Sequence, residues 1–188
     1  PQIEPEIEIE PSALVIGGGI AGMTAAMSLA RQGFDVHLVE REAEIGGMLR
    51  YLYKLQPTER DASEILREAV TALKASSNVR LHTSTVLKEV KGFIGNFDVT
   101  LQKNSSNELE QINVGTIIVA TGAEDFKPLG MHGYGENENV VTQLELEQLL
   151  KKGELRKPER VVMIQCVGAR EKTGRTYCSR ICCMVAIN

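Results

Sequence analysis

Ala13-Leu14-Val15-Ile16-Gly17-Gly18-Gly19-Ile20-Ala21-Gly22 is the stretch that decides the fold. Its first four residues form a short apolar run of the kind buried on both faces of a parallel sheet. The glycines turn the chain into a small-residue helix from about Ile20 to Gln32, which Gly33 stops. Phe34 to Glu40 returns as a second strand. Strand, glycine turn, helix and strand in this order make a βαβ unit, whose crossover is right-handed.

In Gly17-x-Gly19-x-x-Gly22 each glycine has its own task. Gly17 permits the tight turn, Gly19 lets backbone approach a pyrophosphate, and Gly22 lets the helix pack closely on the strand. The pyrophosphate then lies at the helix N-terminus, where free N–H groups and the dipole favour an anion. Glu40, at the end of the second strand, is placed to accept hydrogen bonds from ribose hydroxyls. Its charge would repel the extra phosphate of NADP. The motif alone is weak evidence, but here a strand precedes it, a helix follows and an acid stands at the right distance.

On the N-terminal side, residues 1–11 read as an extended linker, with two prolines and four glutamates in the first ten positions. Thr58 to Ala75 reads as a helix after Pro57, with Ile65, Leu66, Ala69, Val70 and Leu73 on one face. Arg80 to Gln102, broken at Gly92 and Gly95-Asn96, suggests a β-hairpin or meander. Val114 to Ala120 is an apolar strand, Gln143 to Lys152 a helix, and Arg160 to Gln165 a further buried-type strand. These elements give an α/β, Rossmann-like domain over 12–125, with a parallel sheet, crossover helices and a β-meander. A connection over 126–156 leads to the start of a second lobe over 157–188.

That second lobe carries all four cysteines, Cys166, Cys178, Cys182 and Cys183, spaced C-x11-C-x3-C-C. After the Val161 strand only one glycine, Gly168, stands in the turn. Four thiolates suffice for a [4Fe–4S] cluster or a tetrahedral zinc. Adjacent cysteines suit a cubane, with its separate corners, better than one small ion. A redox dithiol lacks its usual C-x-x-C spacing. Buried packing is the remaining reading, since free cysteine is commonly buried.

The bulk numbers set limits. At 188 residues, 43% hydrophobic and 24% charged, the chain has the composition of a globular protein. A net charge of −4 gives no reason to expect nucleic acid or an anionic membrane. No apolar run approaches a membrane span, and no secretory signal is visible, which points to the cytoplasm. His37, His82 and His132 lie far apart in sequence and read as surface or satisfied positions. The acidic 136–138 and 145–147 stretches read as solvated faces, and Lys151-Lys152 as a helix end complementing its dipole. No triad or paired carboxylates suggest hydrolysis, and no catalytic acid, base or nucleophile is assigned.

Past Glu40, the pattern Arg41 … Gly46-Gly47 and the strand end Ala120-Thr121-Gly122 resemble the two-dinucleotide-binding-domain flavoproteins. The resemblance implies FAD. Gly17, Gly19, Ile20, Ala21 and Gly22 would hold its pyrophosphate, and Glu40 and Arg41 would border it. Gly46, Gly47 and Met48 would lie near the pyrophosphate and ribityl chain, with Ala120, Thr121 and Gly122 marking the crossing to the next domain. Members of that group finish the flavin site with a later Gly-Asp strand end. None follows here, so the chain reads as a piece of a longer polypeptide, truncated early in its second lobe.

The runs Val161-Val162-Met163-Ile164-Gln165-Cys166-Val167-Gly168-Ala169-Arg170 and Tyr177-Cys178-Ser179-Arg180-Ile181-Cys182-Cys183 closely resemble the heterodisulfide-reductase-A family of iron–sulfur flavoproteins. That resemblance implies an oxidoreductase component in which Cys166, Cys178, Cys182 and Cys183 ligate a [4Fe–4S] cluster near FAD. In the family, electron bifurcation can be part of the chemistry. It implies partners: heterodisulfide reductase B- and C-like proteins, a hydrogenase- or dehydrogenase-type donor, and ferredoxin-type domains. The family's ferredoxin-type Cys-x-x-Cys-x-x-Cys runs are missing here. Rival readings are a pyridine-nucleotide-disulfide reductase using Cys178 and Cys182, a docking scaffold, and a quinone-linked relative.

Overall fold

The apolar run identified above becomes β1 (Ser12–Ile16), the hub of a computed structural model that describes residues 8–155 and 157–187. The chain divides into two compact units. The first holds the described residues up to Arg50 together with Glu64–Gly122, and the second Tyr51–Ser63 with Ala123 onward. Of the proposed linker, residues 1–7 lie outside the described residues. Glu10 is fixed to a hairpin tip, its N–H donating to Gly95 O at 2.9 Å.

In the first unit β1 pairs in parallel with β2 (Asp35–Val39) on one side. The helix between them is α1 (Ile20–Arg31), closed by Gly33 in a left-handed conformation at φ +91°. β2 in turn pairs in parallel with a third strand, Val79–His82. The sequence reading began the meander at Arg80, but Arg80–His82 belong to the parallel sheet and the meander starts at Thr85. On the other side of β1 lies Thr116–Val119, again parallel. The third strand is reached through α2 (Ala62–Ala75).

That helix starts four residues later than the periodicity suggests. Lys54–Leu55 and Arg60–Asp61 first form a short antiparallel pair, β3 and β4. Asp61 Oδ1 then accepts the Ser63 N–H at 2.7 Å, the bond that caps a helix N-terminus. With these labels, Val79–His82 is β5. Thr85–Phe93 (β6), Asn96–Lys103 (β7) and Leu109–Val114 (β8) make the three-stranded antiparallel meander, and Thr116–Val119 is β9. The single strand expected over Val114–Ala120 is thus split between two sheets. Gly115 makes the break, because a β-carbon there would lie 2.1 Å from Glu10 O.

The sheet order β5-β2-β1-β9 is half of a doubly wound fold. Alternation along β1 supplies both cores. Val15 packs with Met23, Ala26, Val36, Leu38, Ile45 and Leu73 under the helices. Leu14 packs with Val39, Val99, Leu101 and Val114 under the meander. Both Leu14 and Val15 are fully buried, which explains why β1 is apolar without interruption.

The second unit includes β3, β4 and α3 (Gln143–Lys152). Thr142 and Glu145 form a reciprocal capping box, and Gly153 ends the helix at φ +68°. The 145–147 stretch is therefore not merely a solvated face. Glu145 also accepts from Tyr134 Oη at 2.6 Å and Lys127 Nζ at 3.0 Å. Partial burial pushes its carboxyl up, but the Thr142, Tyr134 and Lys127 donors outweigh that and bring it down to about 2. Glu147 accepts the Tyr53 N–H at 2.8 Å, and Lys151 Nζ donates to Leu52 O at 3.2 Å.

Residues 160–165 are not a strand. Val161, Val162, Met163 and Ile164 are all at least half exposed. A parallel strand draws its ladder bonds from neighbours, and no described strand pairs with this run. The last helix is α4 (Cys182–Ile187).

Two of the histidines, far apart in sequence, satisfy each other in the fold. His37 and His82 meet on neighbouring strands, Nδ1 to Nε2 at 3.0 Å, with rings stacked 5.2 Å apart. His82 Nδ1 faces Glu110 Oε2 at 3.3 Å, and His82 and Glu110 line a cleft of about 490 Å³. A carboxylate only accepts, so His82 donates to it from Nδ1 and accepts at Nε2 from the His37 N–H. Burial first, then His82 and Arg80, push the His37 pKa below its usual value, against weaker pulls from Glu110 and Asp35. A histidine depressed in the folded state favours folding above its unfolded pKa and is lost as a stabiliser as pH falls from about 6.5. Chemical denaturation between pH 7.5 and 5 should therefore show a steeper stability loss for the native chain than for His37→Asn. Parallel slopes would contradict a titrating His37.

Candidate functional site

The glycine turn sits at the carboxyl ends of β1 and β9, where the strand order reverses and open α/β sheets take their ligands. Gly17, at φ +110°, lies so close to β9 that a β-carbon would meet Ala120 O at 2.2 Å and Thr121 Cα at 3.2 Å. Gly22 is tighter still, with Gly17 O 1.8 Å from the same position. These two glycines are demanded by the protein's own packing.

Gly19 is different. Its φ of −74° is open to any residue, and a β-carbon there would meet nothing within 4 Å. It is the N-cap of α1, which has no side-chain cap and no acid in its first turn. Neither backbone geometry nor packing requires a glycine here. A phosphate approaching the first N–H groups of α1, at Ile20, Ala21 and Gly22, would require one. Ile20 and Ala21 are exposed, as such a site needs.

Around this turn the sequence-assigned residues fall as follows. Gly46 donates its N–H to Gly18 O at 2.8 Å, and a β-carbon on Gly47 would lie 3.1 Å from Gly19 Cα. The two glycine loops therefore touch. Met48 is exposed beside them, and Ala120-Thr121-Gly122 flanks Gly17, with Gly122 at φ +73°. Arg41 is exposed, its Nε 3.5 Å from Glu42 Oε1. Glu40 is buried and rigidly held: Oε2 accepts the Gly18 N–H at 2.7 Å and Oε1 the Glu42 N–H at 2.9 Å. Each oxygen keeps a lone pair for a hydroxyl.

Sequence reasoning missed Gly18 and Ile45. A β-carbon on Gly18 would lie 2.7 Å from Ile45 Cγ2 and 2.9 Å from Glu40 Oε2. The available signal was a glycine standing at a position the motif leaves free.

The thiols belong to the second unit. Cys166 is half-buried, while Cys178, Cys182 and Cys183 are exposed, and all four are free. Desolvation first, then the charges of Cys182, Cys166 and Cys178, push the Cys183 thiol up. Ser179 Oγ donates to Cys182 Sγ at 3.4 Å, which holds that thiol below its ordinary range. The Arg180 N–H points at Cys178 Sγ, also at 3.4 Å. Among the described residues no three His, Cys, Asp or Glu groups are gathered closely enough to share one metal ion. A cubane asks less, because each cysteine binds its own iron. Cys166, Arg170 and Arg180 have left-handed backbone, at φ +60°, +57° and +62°, as do Glu59, Ser84, Asn107 and His132 elsewhere in the chain.

Residues 11–168 match the family described as pyridine nucleotide-disulphide oxidoreductase. The chain belongs to that family. It is 32% identical to a CoB–CoM heterodisulfide reductase iron-sulfur protein of the A type from Methanopyrus kandleri, covering 95% of this chain and 41% of the relative. It is 30% identical to the A component of the H2/formate:CoB–CoM heterodisulfide, ferredoxin reductase of Methanococcus maripaludis, covering 96% and 41%. The chain thus spans about two fifths of the length of these relatives. The first alignment runs over 272 positions, although 95% of this chain is about 179 residues; roughly ninety positions of the relative have no counterpart within it. Among solved structures, L-proline dehydrogenase from P. horikoshii aligns with a TM-score of 0.55 at 29% identity, over 65% of this chain and 25% of its own. As a member of this oxidoreductase family the chain carries a FAD/NAD(P)-type domain. No described helix is long and apolar enough to cross a membrane.

The contrast between Gly19 and Gly22 gives a test. Gly19→Ala should leave thermal stability within about 0.5 kcal/mol of native, as at an uncrowded surface position. It should weaken FAD binding about tenfold or more. Gly22→Ala should instead destabilise the fold by about 1–3 kcal/mol or more, through overpacking. Calorimetry and flavin titration of both variants check this. Unchanged flavin affinity in Gly19→Ala would remove the phosphate site from this turn.

Proposed function

We propose that this chain is the flavin-binding part of a heterodisulfide-reductase-A-like electron-transfer oxidoreductase, and that its four cysteines hold a [4Fe–4S] cluster. The observation that carries the flavin half is the open space at Gly19, above an uncapped helix start and beside a fixed Glu40. Gly17 and Gly22 keep the turn tight, and the Ile20–Gly22 N–H groups face the pyrophosphate. Glu40 accepts from ribose hydroxyls, and Gly46, Gly47, Met48 and Ala120–Gly122 border the rest of the ligand. The flavin supplies two-electron chemistry and the cluster one-electron chemistry, which is why the pair suits a conversion between the two.

The cluster half rests on the thiols. Cys166, Cys178, Cys182 and Cys183 are all free and supply the number and kind of ligands a cubane needs. The Ser179 and Arg180 donors face two of those sulfurs. No side chain is asked to move a proton, in keeping with a role in positioning and in setting potentials. The relatives are named as A components of heterodisulfide reductases, which supports other components of such a complex as partners. An electron donor of hydrogenase or dehydrogenase type and ferredoxin-type domains are proposed from the family resemblance. The cytoplasm is the proposed location.

A second reading is kept alive by Cys182, whose lowered thiol is what a nucleophilic cysteine requires. In that case Cys178 and Cys182 act as a dithiol. Cys178→Ser separates the two. After anaerobic purification, the variant should lose its iron while flavin affinity stays at the native value. A native chain that carries no iron, and in which Cys178→Ser only removes one thiol of a reducible pair, would favour the dithiol instead.

A further inference from the structure

Two hydrogen-bond donors are aimed at two of the four sulfurs, and they come from the two residues that follow Cys178. The Arg180 N–H reaches Cys178 Sγ from a backbone held at φ +62°, a conformation residues with a β-carbon rarely adopt. The Ser179 hydroxyl reaches Cys182 Sγ across three positions. Both residues are exposed, so neither is held in place by burial in a core.

An iron–sulfur centre spreads part of its negative charge onto its cysteine sulfurs, and that charge grows when an electron is added. A donor on such a sulfur therefore stabilises the reduced form more than the oxidised one, because hydrogen bonds to charged acceptors are the stronger ones. Hydrogen bonds to the sulfurs are among the main settings of cluster potential. The Arg180 contribution comes from backbone and survives any substitution there except proline. The Ser179 contribution comes from a side chain and can be removed.

From this geometry we infer that Ser179 is a positioning residue that raises the reduction potential of a cluster held by these cysteines, through its hydroxyl on Cys182. The inference rests on the cysteine-ligated cluster proposed above. It assigns a role to a residue that is neither a ligand nor part of the glycine turn.

The experiment is a redox titration of the anaerobically purified chain, followed by electron paramagnetic resonance, for the native protein, Ser179→Ala and Ser179→Thr. Iron and sulfide are measured on the same samples. Ser179→Ala should titrate at a lower potential than native at equal iron content, while Ser179→Thr, which keeps the hydroxyl, should stay near native. Equal midpoints for native and Ser179→Ala at equal iron would overturn the inference. Should the alanine form fail to assemble, Ser179→Gly removes the same hydroxyl while relaxing the turn, and the same comparison decides. A native chain that binds no iron defeats the cluster reading itself, before Ser179 is altered.

Discussion

Backbone against backbone at the carboxyl ends of β1 and β9 is the constraint on which the rest depends. Gly17 leaves no room for a side chain beside Ala120, and Gly22 none beside Gly17. These two contacts bring α1 onto the sheet, aim its uncapped N-terminus at the switch point and hold the strand end Ala120–Gly122 alongside. Gly46 and Gly47 close on the same turn from the other side. Once packing has accounted for Gly17, Gly18 and Gly22, Gly19 is left over. A glycine that the protein itself does not need is the clearest trace of a ligand in the molecule.

The same region shows how a buried carboxylate can serve twice. Glu40 accepts two backbone N–H groups, one from the glycine turn and one from its own loop. Those bonds offset the cost of taking a charged group out of water. They also fix the carboxylate at the end of β2, so in the proposed site it would meet a ribose without first having to be ordered, the cost of ordering it being met in folding.

Much of this was legible in the sequence because it is local. The run from Ala13 to Gly22, the helix stop at Gly33 and the acid at Glu40 follow from strand length, helix punctuation and the distance between them. The helix at 143–152 was equally plain between Thr142 and Gly153. What could not be read depends on partners distant in the chain. His37 and His82 are 45 positions apart and meet only because β2 and β5 are neighbours. The Val114–Ala120 run looks continuous, yet a contact from Glu10 forces a break at Gly115. Val161–Ile164 has a strand's composition but lacks a paired neighbour among the described strands, and composition alone does not make a ladder. The four cysteines are written in the sequence as spacing only; the donors to two of their sulfurs, Ser179 and Arg180, became visible once the turn was built.

The central claim is that one chain joins a dinucleotide turn to a cubane on four cysteines. Iron, acid-labile sulfide and flavin per chain, measured together on protein purified without oxygen and supplied with FAD, test it most directly. The account predicts about four iron and four sulfide for each chain, with one FAD bound. Zinc in place of iron, or four titratable thiols with no metal, would contradict the cluster, and iron without any flavin would contradict the turn.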